Sequence, residues 1–231
     1  HLPWRLAAHA QLLDAHPEVA QVFSDLRTWQ DGEVTVESTL RDRRLGPTPR
    51  TFDEEIADAF DTLGTAGALA VPVPDDMADR KVHLGKVPQL IATYHVAWGG
   101  ASMYRREALE AVGGHDDGLR RWPDWYLASV LSKRYPFIYL DVPVLNYRQH
   151  GGQLTKQNDL GAISYHRVAY KVWKDDPVFA AQHPQVYKRV VHEAAMRMAG
   201  VHVRNRRWRE AQPLSRDSIA AVGETSSPTA R

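Results

Sequence analysis

Cysteine is absent from the 231-residue chain. Without a thiol there is no disulfide framework, no thiolate zinc site and no cysteine nucleophile. No apolar run reaches the length that a membrane-spanning helix needs. The chain begins with His1 rather than Met, and no charged segment leads into an apolar stretch, so no signal peptide is visible. We therefore expect the chain to begin inside a longer protein.

The residues that are present have ordinary globular proportions, with 43% hydrophobic and 25% charged residues. This length can form one sizeable core or two small ones. The net charge of +1 hides an uneven distribution, because residues 1–80 hold 7 basic and 15 acidic residues, whereas residues 81–231 hold 22 and 13. The basic segment suggests an anionic ligand, and solvated helix faces would explain the same imbalance.

The first half of the chain alternates helical and strand patterns. Apolar spacing predicts a helix over residues 3–16, and the Asp31-Gly32 turn signal predicts a β-hairpin over residues 19–38. A second helix is predicted from the helical spacing of Phe52, Ile56, Phe60 and Leu63. Three prolines among charges predict that residues 71–88 form a surface connection.

The second half changes character after Gly151-Gly152. Before it we expect a buried strand from Leu90 to Trp98 that runs into Gly99, helices at 105–112 and 125–131, and strands at 137–140 and 142–147. After it, residues 160–222 are almost all compatible with helix, with two amphipathic helices over 184–222. The polar residues 224–231 are predicted to be a disordered tail.

An ordered set of motifs lies between Tyr94 and Thr155. It comprises Gly99-Gly100-Ala101-Ser102, a helix, Gly113-Gly114, a helix that opens at Asp124-Trp125, a strand, and Tyr147-Arg148-Gln149-His150. In order and spacing it resembles the C-terminal half of family 2 glycosyltransferases, the inverting nucleotide-sugar enzymes of the GT-A fold. The resemblance extends to Leu2-Pro3-Trp4 and covers residues 1 to about 155.

The resemblance implies an α/β fold: a partial GT-A (Rossmann-like) mixed sheet flanked by helices, followed by a C-terminal helical extension. The implied domains are residues 1–155 for the acceptor-side part of the glycosyltransferase domain, 156–222 for the extension and 223–231 for the tail. The implied reaction transfers a sugar from a nucleotide-diphosphate sugar to a glycan, lipid or protein acceptor with inversion. Cell-envelope polysaccharide synthesis and a cytoplasmic location, at most peripheral to the inner face of the membrane, are the corresponding expectations.

The resemblance also assigns site residues. Asp124 corresponds to the catalytic base, and inversion needs one carboxylate that takes the proton of the attacking hydroxyl. The substrate-binding positions are Gly99, Gly100, Ala101, Ser102, Trp125 and Arg148, and His150 is the expected metal ligand. Each has an ordinary structural explanation as well: Asp is a common helix N-cap, Gly-Gly pairs are common in turns, and a loop histidine needs no ligand. Pro123 departs from the family, which often has Glu there.

The metal-binding motif of the family is missing. Catalysis in this fold uses an Asp-x-Asp motif that holds Mg²⁺ or Mn²⁺ against the diphosphate. No two Asp residues here are separated by one position, and the pairs Asp75-Asp76 and Asp116-Asp117 lie in the wrong context. We expect the motif upstream of His1, so the chain resembles an N-terminally incomplete enzyme that is inactive alone.

Two other classes of function stay open from the sequence. One is a non-catalytic carbohydrate- or nucleotide-binding relative, which needs no acidic motif. The other is a helical interaction module on an α/β scaffold. Arg204, Arg206, Arg207 and Arg209 cluster between the two C-terminal helices. They predict either contact with anionic lipid or nucleic acid, or a solvated turn, and no nucleic-acid partner follows from the resemblance.

Overall fold

The strand β1 (Gln21–Gln30) is central to a six-stranded sheet in a computed structural model that describes residues 1–41, 50–153 and 158–223. The other strands are β2 (Glu33–Val36), β3 (Asp61–Thr65), β4 (Lys81–Gly85), β5 (Ser102–Tyr104) and β6 (Phe137–Arg148). Their order is β2-β1-β6-β4-β3, and β5 also pairs with β1. Only β1 and β6 are parallel, so the sheet is mixed and the predicted α/β class is confirmed.

Helices cover both faces of this sheet because its central strands are buried on both sides. Side chains alternate between the faces of a strand, so Val22 and Phe23 belong to opposite apolar clusters. The helix α1 (Arg5–Ala15) packs on the face of Val22. The face of Phe23 is covered by α2 (Phe52–Ala59), α3 (Pro88–Thr93), α4 (Arg106–Ala111) and α5 (Pro123–Ser132).

Several predicted elements are confirmed, and the strand predicted from Leu90 to Trp98 is wrong. That segment begins with α3 and continues in irregular chain to a 3₁₀ turn at Gly99–Ala101. A short apolar run does not separate strand from buried helix by periodicity, since every position from Leu90 to Thr93 is buried. Pro88 decides the conformation, because its fixed φ suits the first turn of a helix.

Three further boundaries differ from the prediction. Residues 71–88, predicted to be a surface connection, contain the strand β4. This strand is hydrogen-bonded to β3 and β6, which lie elsewhere in the sequence. Leu63 lies in β3 rather than in a helix, because Phe60 ends α2 in an extended conformation. The two strands predicted around Asp141 form the single strand β6, which accommodates Pro143 beside an irregularity in its pairing with β1.

Residues 158–223 are helical, as predicted. They form α6 (Asn158–Ala169), a π-helical turn (Tyr170–Lys174), α7 (Pro177–Gln182), α8 (Pro184–Arg204) and α9 (Trp208–Gly223). The chain divides into two compact units. The first unit comprises His1–Asp116 and Asp124–Gly151, and the second comprises Asp117–Pro123 and Gly152–Arg231. No helix in the described ranges is long and apolar enough to span a membrane. The tail predicted at 224–231 lies outside the described residues.

Candidate functional site

Asp124 is fixed in space by the helix that carries it. It is the second residue of α5, after Pro123, and the next residue, Trp125, is 2% exposed. The indole Nε1 of Trp125 donates to the carbonyl of Ile91 at 2.8 Å. The start of α5 is therefore tied to the core by a buried ring and a hydrogen bond, which leaves the Asp124 side chain little freedom.

Three donors surround the carboxylate of Asp124. His95 Nε2 lies 3.0 Å from Oδ2, and the backbone N–H of Gly99 donates to the same oxygen at 2.9 Å. The N–H of Trp125 donates to Oδ1 at 3.0 Å. The Asp124 side chain is 22% exposed, so the carboxylate is bonded from the protein side and still reachable from solvent.

These donors keep Asp124 ionised. Burial by itself would raise the pKa of Asp124, but the hydrogen bond and charge of His95 oppose it, together with the N–H groups of Gly99 and Trp125. The balance lowers the pKa to about 2. A carboxylate with this pKa is unprotonated at any physiological pH, and each oxygen can accept more than one hydrogen bond. It can therefore receive a further donor such as a hydroxyl.

His95 is the site residue that sequence reasoning missed. Its side chain is 16% exposed, with the ring 6.2 Å from that of Trp125 and 6.4 Å from that of Trp98. The indoles restrict the imidazole and lower the local polarity around its bond to Asp124. The sequence places this histidine four positions before Gly99, but the strand predicted from Leu90 to Trp98 gives no reason to expect it beside Asp124.

The first residue of the Gly99-Gly100 pair lies so close to Asp124 that a side chain there would be crowded. A Cβ at Gly99 would lie 3.1 Å from the Cβ of Asp124, closer than most real Cβ contacts. A side chain there would push the carboxylate away from its donors. At Gly100, which is exposed, a Cβ would meet only Leu145 Cδ2 at 3.4 Å. The structure thus brings Gly99 and Asp124 together and leaves Gly100 in an open position.

Three of the predicted substrate-binding side chains are buried. Ser102 is 5% exposed, accepts a hydrogen bond from Gln21 Nε2 at 2.8 Å and donates to the carbonyl of Trp98 at 2.8 Å. Ala101 is fully buried, as is nearly all of Trp125. Ser102 therefore stabilises the 3₁₀ turn at Gly99–Ala101, and Trp125 stabilises the start of α5.

Arg148 and His150 lie at and beyond the end of β6, and both are exposed. The guanidinium of Arg148 is 5.7 Å from the ring centroid of Trp29, within range of a cation–π interaction. No group of three or more His, Asp or Glu residues in the described part of the chain is arranged to hold a metal ion. His150 is therefore not part of such a group among the described residues.

A second concave feature, here called the polar cleft, lies between α2 and the strands β3 and β4. Its volume is about 340 Å³, which is within the range of small-molecule sites. Both signs of charge line it: Arg41, Arg80 and Lys81 against Asp53, Asp79 and Asp141, with Thr62 and His83 between them.

Asp141 organises the polar cleft. Its Oδ2 accepts from Arg41 and lies 3.9 Å from Arg80 Nη1, and its Oδ1 accepts from the hydroxyl of Tyr139 at 3.0 Å. His83 stacks on Tyr139 with ring centroids 5.9 Å apart. Burial lowers the pKa of His83, and Asp141 opposes that effect. The floor of the polar cleft, formed by Asp141, Tyr139 and His83, therefore presents hydrogen-bond donors and acceptors that are held by one another.

In comparisons with known proteins, no family model, no curated protein and no solved structure matches this chain.

Proposed function

We propose that the chain carries the acceptor side of an inverting, nucleotide-sugar-dependent glycosyltransferase, with Asp124 as the general base. The observation that carries the proposal is the carboxylate of Asp124, which is ionised, held by three donors and open on one side. An α/β fold with a mixed six-stranded sheet agrees with a partial GT-A domain, which remains part of the proposal.

The reaction assigned to Asp124 is a single displacement. The acceptor oxygen attacks the anomeric carbon on the side opposite the nucleoside diphosphate, and a new C–O bond forms as the bond to the diphosphate breaks. The diphosphate leaves with the electron pair, the hydroxyl proton passes to Asp124, and the anomeric configuration inverts. Because the hydroxyl becomes strongly acidic as its oxygen bonds to carbon, a carboxylate of low pKa can accept the proton late in the step.

The neighbouring residues have supporting roles in this proposal. The backbone at Gly99 and Gly100 allows close approach of a sugar ring because no side chain intervenes. Arg148 is an exposed guanidinium suited to a diphosphate.

The test is sugar transfer by the full-length protein. Asp124→Asn preserves shape and removes the proton acceptor, so turnover with a panel of nucleotide sugars should fall by about 10²–10⁴ while donor affinity stays the same. Asp117→Asn, at an exposed carboxylate, is the matched control and should retain activity. Transfer by Asp124→Asn within about threefold of wild type, at an unchanged melting temperature, would contradict the catalytic role.

A second candidate, a non-catalytic protein that binds a small polar ligand, is favoured by the polar cleft. Guanidinium and carboxylate groups on its rigid floor suit a ligand with several hydroxyl groups. NMR titration of the 231-residue chain with monosaccharides and nucleotides distinguishes the two. Shifts around His83 that disappear in Asp141→Asn, without turnover of any donor, would support the second candidate over the first.

A further inference from the structure

The hairpin of α8 and α9 exposes cations and large apolar side chains side by side. Trp208, the first residue of α9, is 63% exposed, and Ile219 on the same helix is 68% exposed. Arg206 and Arg207 lie in the turn before Trp208, and Arg209 follows it; all three are exposed. Water-exposed Trp and Ile cost free energy in proportion to their apolar area, so this surface suits a partner that covers them.

Five of the exposed residues of α9 share one face. At 3.6 residues per turn they lie within an arc of about 100°. The members of this face, here called the basic face of α9, are Trp208, Arg209, Gln212, Arg216 and Ile219. Asp217 and Glu210 point to the opposite side at the same spacing, and Asp217 is bonded to Lys174 and Tyr170. The face therefore has positive charge and apolar area and no carboxylate.

The arginines of this region have no partner in the described part of the chain, apart from Arg204. Arg204 Nη2 donates to Asp159 Oδ1 at 2.7 Å. Across residues 1–41, 50–153 and 158–223, the side chains of Arg206, Arg207, Arg209 and Arg216 make no hydrogen bond or ion pair. The one acidic residue in the first turn of α9, Glu210, lies 3.5 Å from His202 Nδ1 instead.

Helix electrostatics do not account for these positions. Cations stabilise the C-terminal end of a helix and oppose the dipole at its N-terminal end. Arg206 and Arg207 follow the end of α8, but Arg207 and Arg209 also flank the start of α9, where positive charge is unfavourable. The unfavourable placement, together with exposed Trp208, indicates binding rather than helix stability.

We propose that the basic face of α9, with Arg206 and Arg207, docks on an anionic lipid bilayer. Tryptophan is favoured at the membrane–water interface, aliphatic side chains enter the boundary of the acyl chains, and arginines bind acidic headgroups. A phosphate backbone would use the arginines but offers nothing for Ile219, whereas a bilayer surface accommodates both groups. The proposal is independent of Asp124, which lies in the other unit.

The experiment is flotation of the 231-residue chain with vesicles of phosphatidylcholine containing about one third phosphatidylserine, compared with phosphatidylcholine alone. Wild type should bind only the anionic vesicles and should be released by high salt. The triple variant Arg206→Gln, Arg207→Gln and Arg209→Gln should bind on the order of 100-fold more weakly. The control removes three exposed cations elsewhere, Lys86→Gln, Arg106→Gln and Arg120→Gln, and should bind like wild type.

A second readout follows Trp208 itself. Brominated lipid should quench part of the tryptophan fluorescence of wild type, and Trp208→Phe should lose that part while the other six tryptophans remain. Circular dichroism confirms that every variant is folded. Equal vesicle binding by wild type and the triple variant would overturn the proposal. So would tighter, equally arginine-dependent binding to a single-stranded oligonucleotide, which would assign the surface to nucleic acid instead.

Discussion

His95 Nε2 and Asp124 Oδ2 lie 3.0 Å apart and join two segments separated by 29 positions in the chain. The contact connects the irregular chain before the glycine turn to the first turn of α5. Because the carboxylate is ionised, the satisfied arrangement has the proton on Nε2, so that imidazole donates and carboxylate accepts. The pair therefore sets both the position and the charge of the proposed base.

The first prediction is that His95→Ala raises the pKa of Asp124. Burial then acts with fewer opposing donors, so the pKa should move upward from about 2. His95→Gln retains an N–H donor and should raise it less. Carboxyl-carbon NMR of the 231-residue chain, assigned with Asp124→Asn, measures this directly. His115→Ala, at an exposed histidine, is the control, and an unmoved pKa in His95→Ala would refute the coupling.

A second prediction compares the two glycines. Gly99→Ala places a methyl group 3.1 Å from the Cβ of Asp124, so the carboxylate must shift from its donors. We expect a loss of about 1–2 kcal/mol in unfolding free energy from overpacking and a raised pKa of Asp124. Gly100→Ala meets only the flexible end of Leu145 and should change neither by a measurable amount. Urea denaturation and the same NMR titration test both, and equal effects would show that Gly99 is only a turn residue.

The predictions from sequence succeeded where a local signal dominates. The hairpin over residues 19–38 follows from Asp31-Gly32, and the long helix α8 follows from sustained apolar spacing. The strand β4 was not predicted because it is stabilised by pairing with β3 and β6. Such pairing between separate segments is not visible in the local sequence. The contacts of Asp124 with Gly99 and His95 could not be predicted, because they depend on the conformation of the chain between α3 and Gly99, where a strand was expected.

A third prediction concerns the floor of the polar cleft. Asp141→Asn removes the negative charge that pairs with Arg41 and Arg80. Arg41 then lacks its main counter-ion. Loss of a partly buried, charged hydrogen bond should lower unfolding free energy by about 2 kcal/mol. Asp53→Asn is the matched control, because Asp53 is 63% exposed and 3.9 Å from Arg41 Nε, and it should change stability by less than about 0.5 kcal/mol. Similar losses in both variants, measured by urea denaturation, would argue against a special role for Asp141.

The last prediction is acid destabilisation through His9. This residue of α1 is fully buried, its Nε2 lies 2.8 Å from Ser24 Oγ, and its Nδ1 has no partner among the described residues. Burial, helped by the charge of Arg5, lowers the pKa of His9 to about 3. The ordinary value is about 6.5, so between these limits the unfolded chain binds a proton that the folded protein does not.

The direction of the pH effect on stability follows from the difference between the pKa of His9 in the folded and the unfolded protein. Stability from neutral His9 is fully present above pH 6.5 and is lost as the pH falls toward 3, since protons then favour the unfolded state. Between pH 6.5 and 4 the loss should be about 3 kcal/mol from this residue. His9→Gln, which keeps a polar group near Ser24 but does not titrate, should show a shallower decline. Unfolding free energies from urea titrations at several pH values give the difference between the two proteins, which isolates His9 from the other titrating groups. Parallel curves for wild type and His9→Gln would mean that His9 is protonated in the folded protein near its ordinary pKa, contrary to its burial.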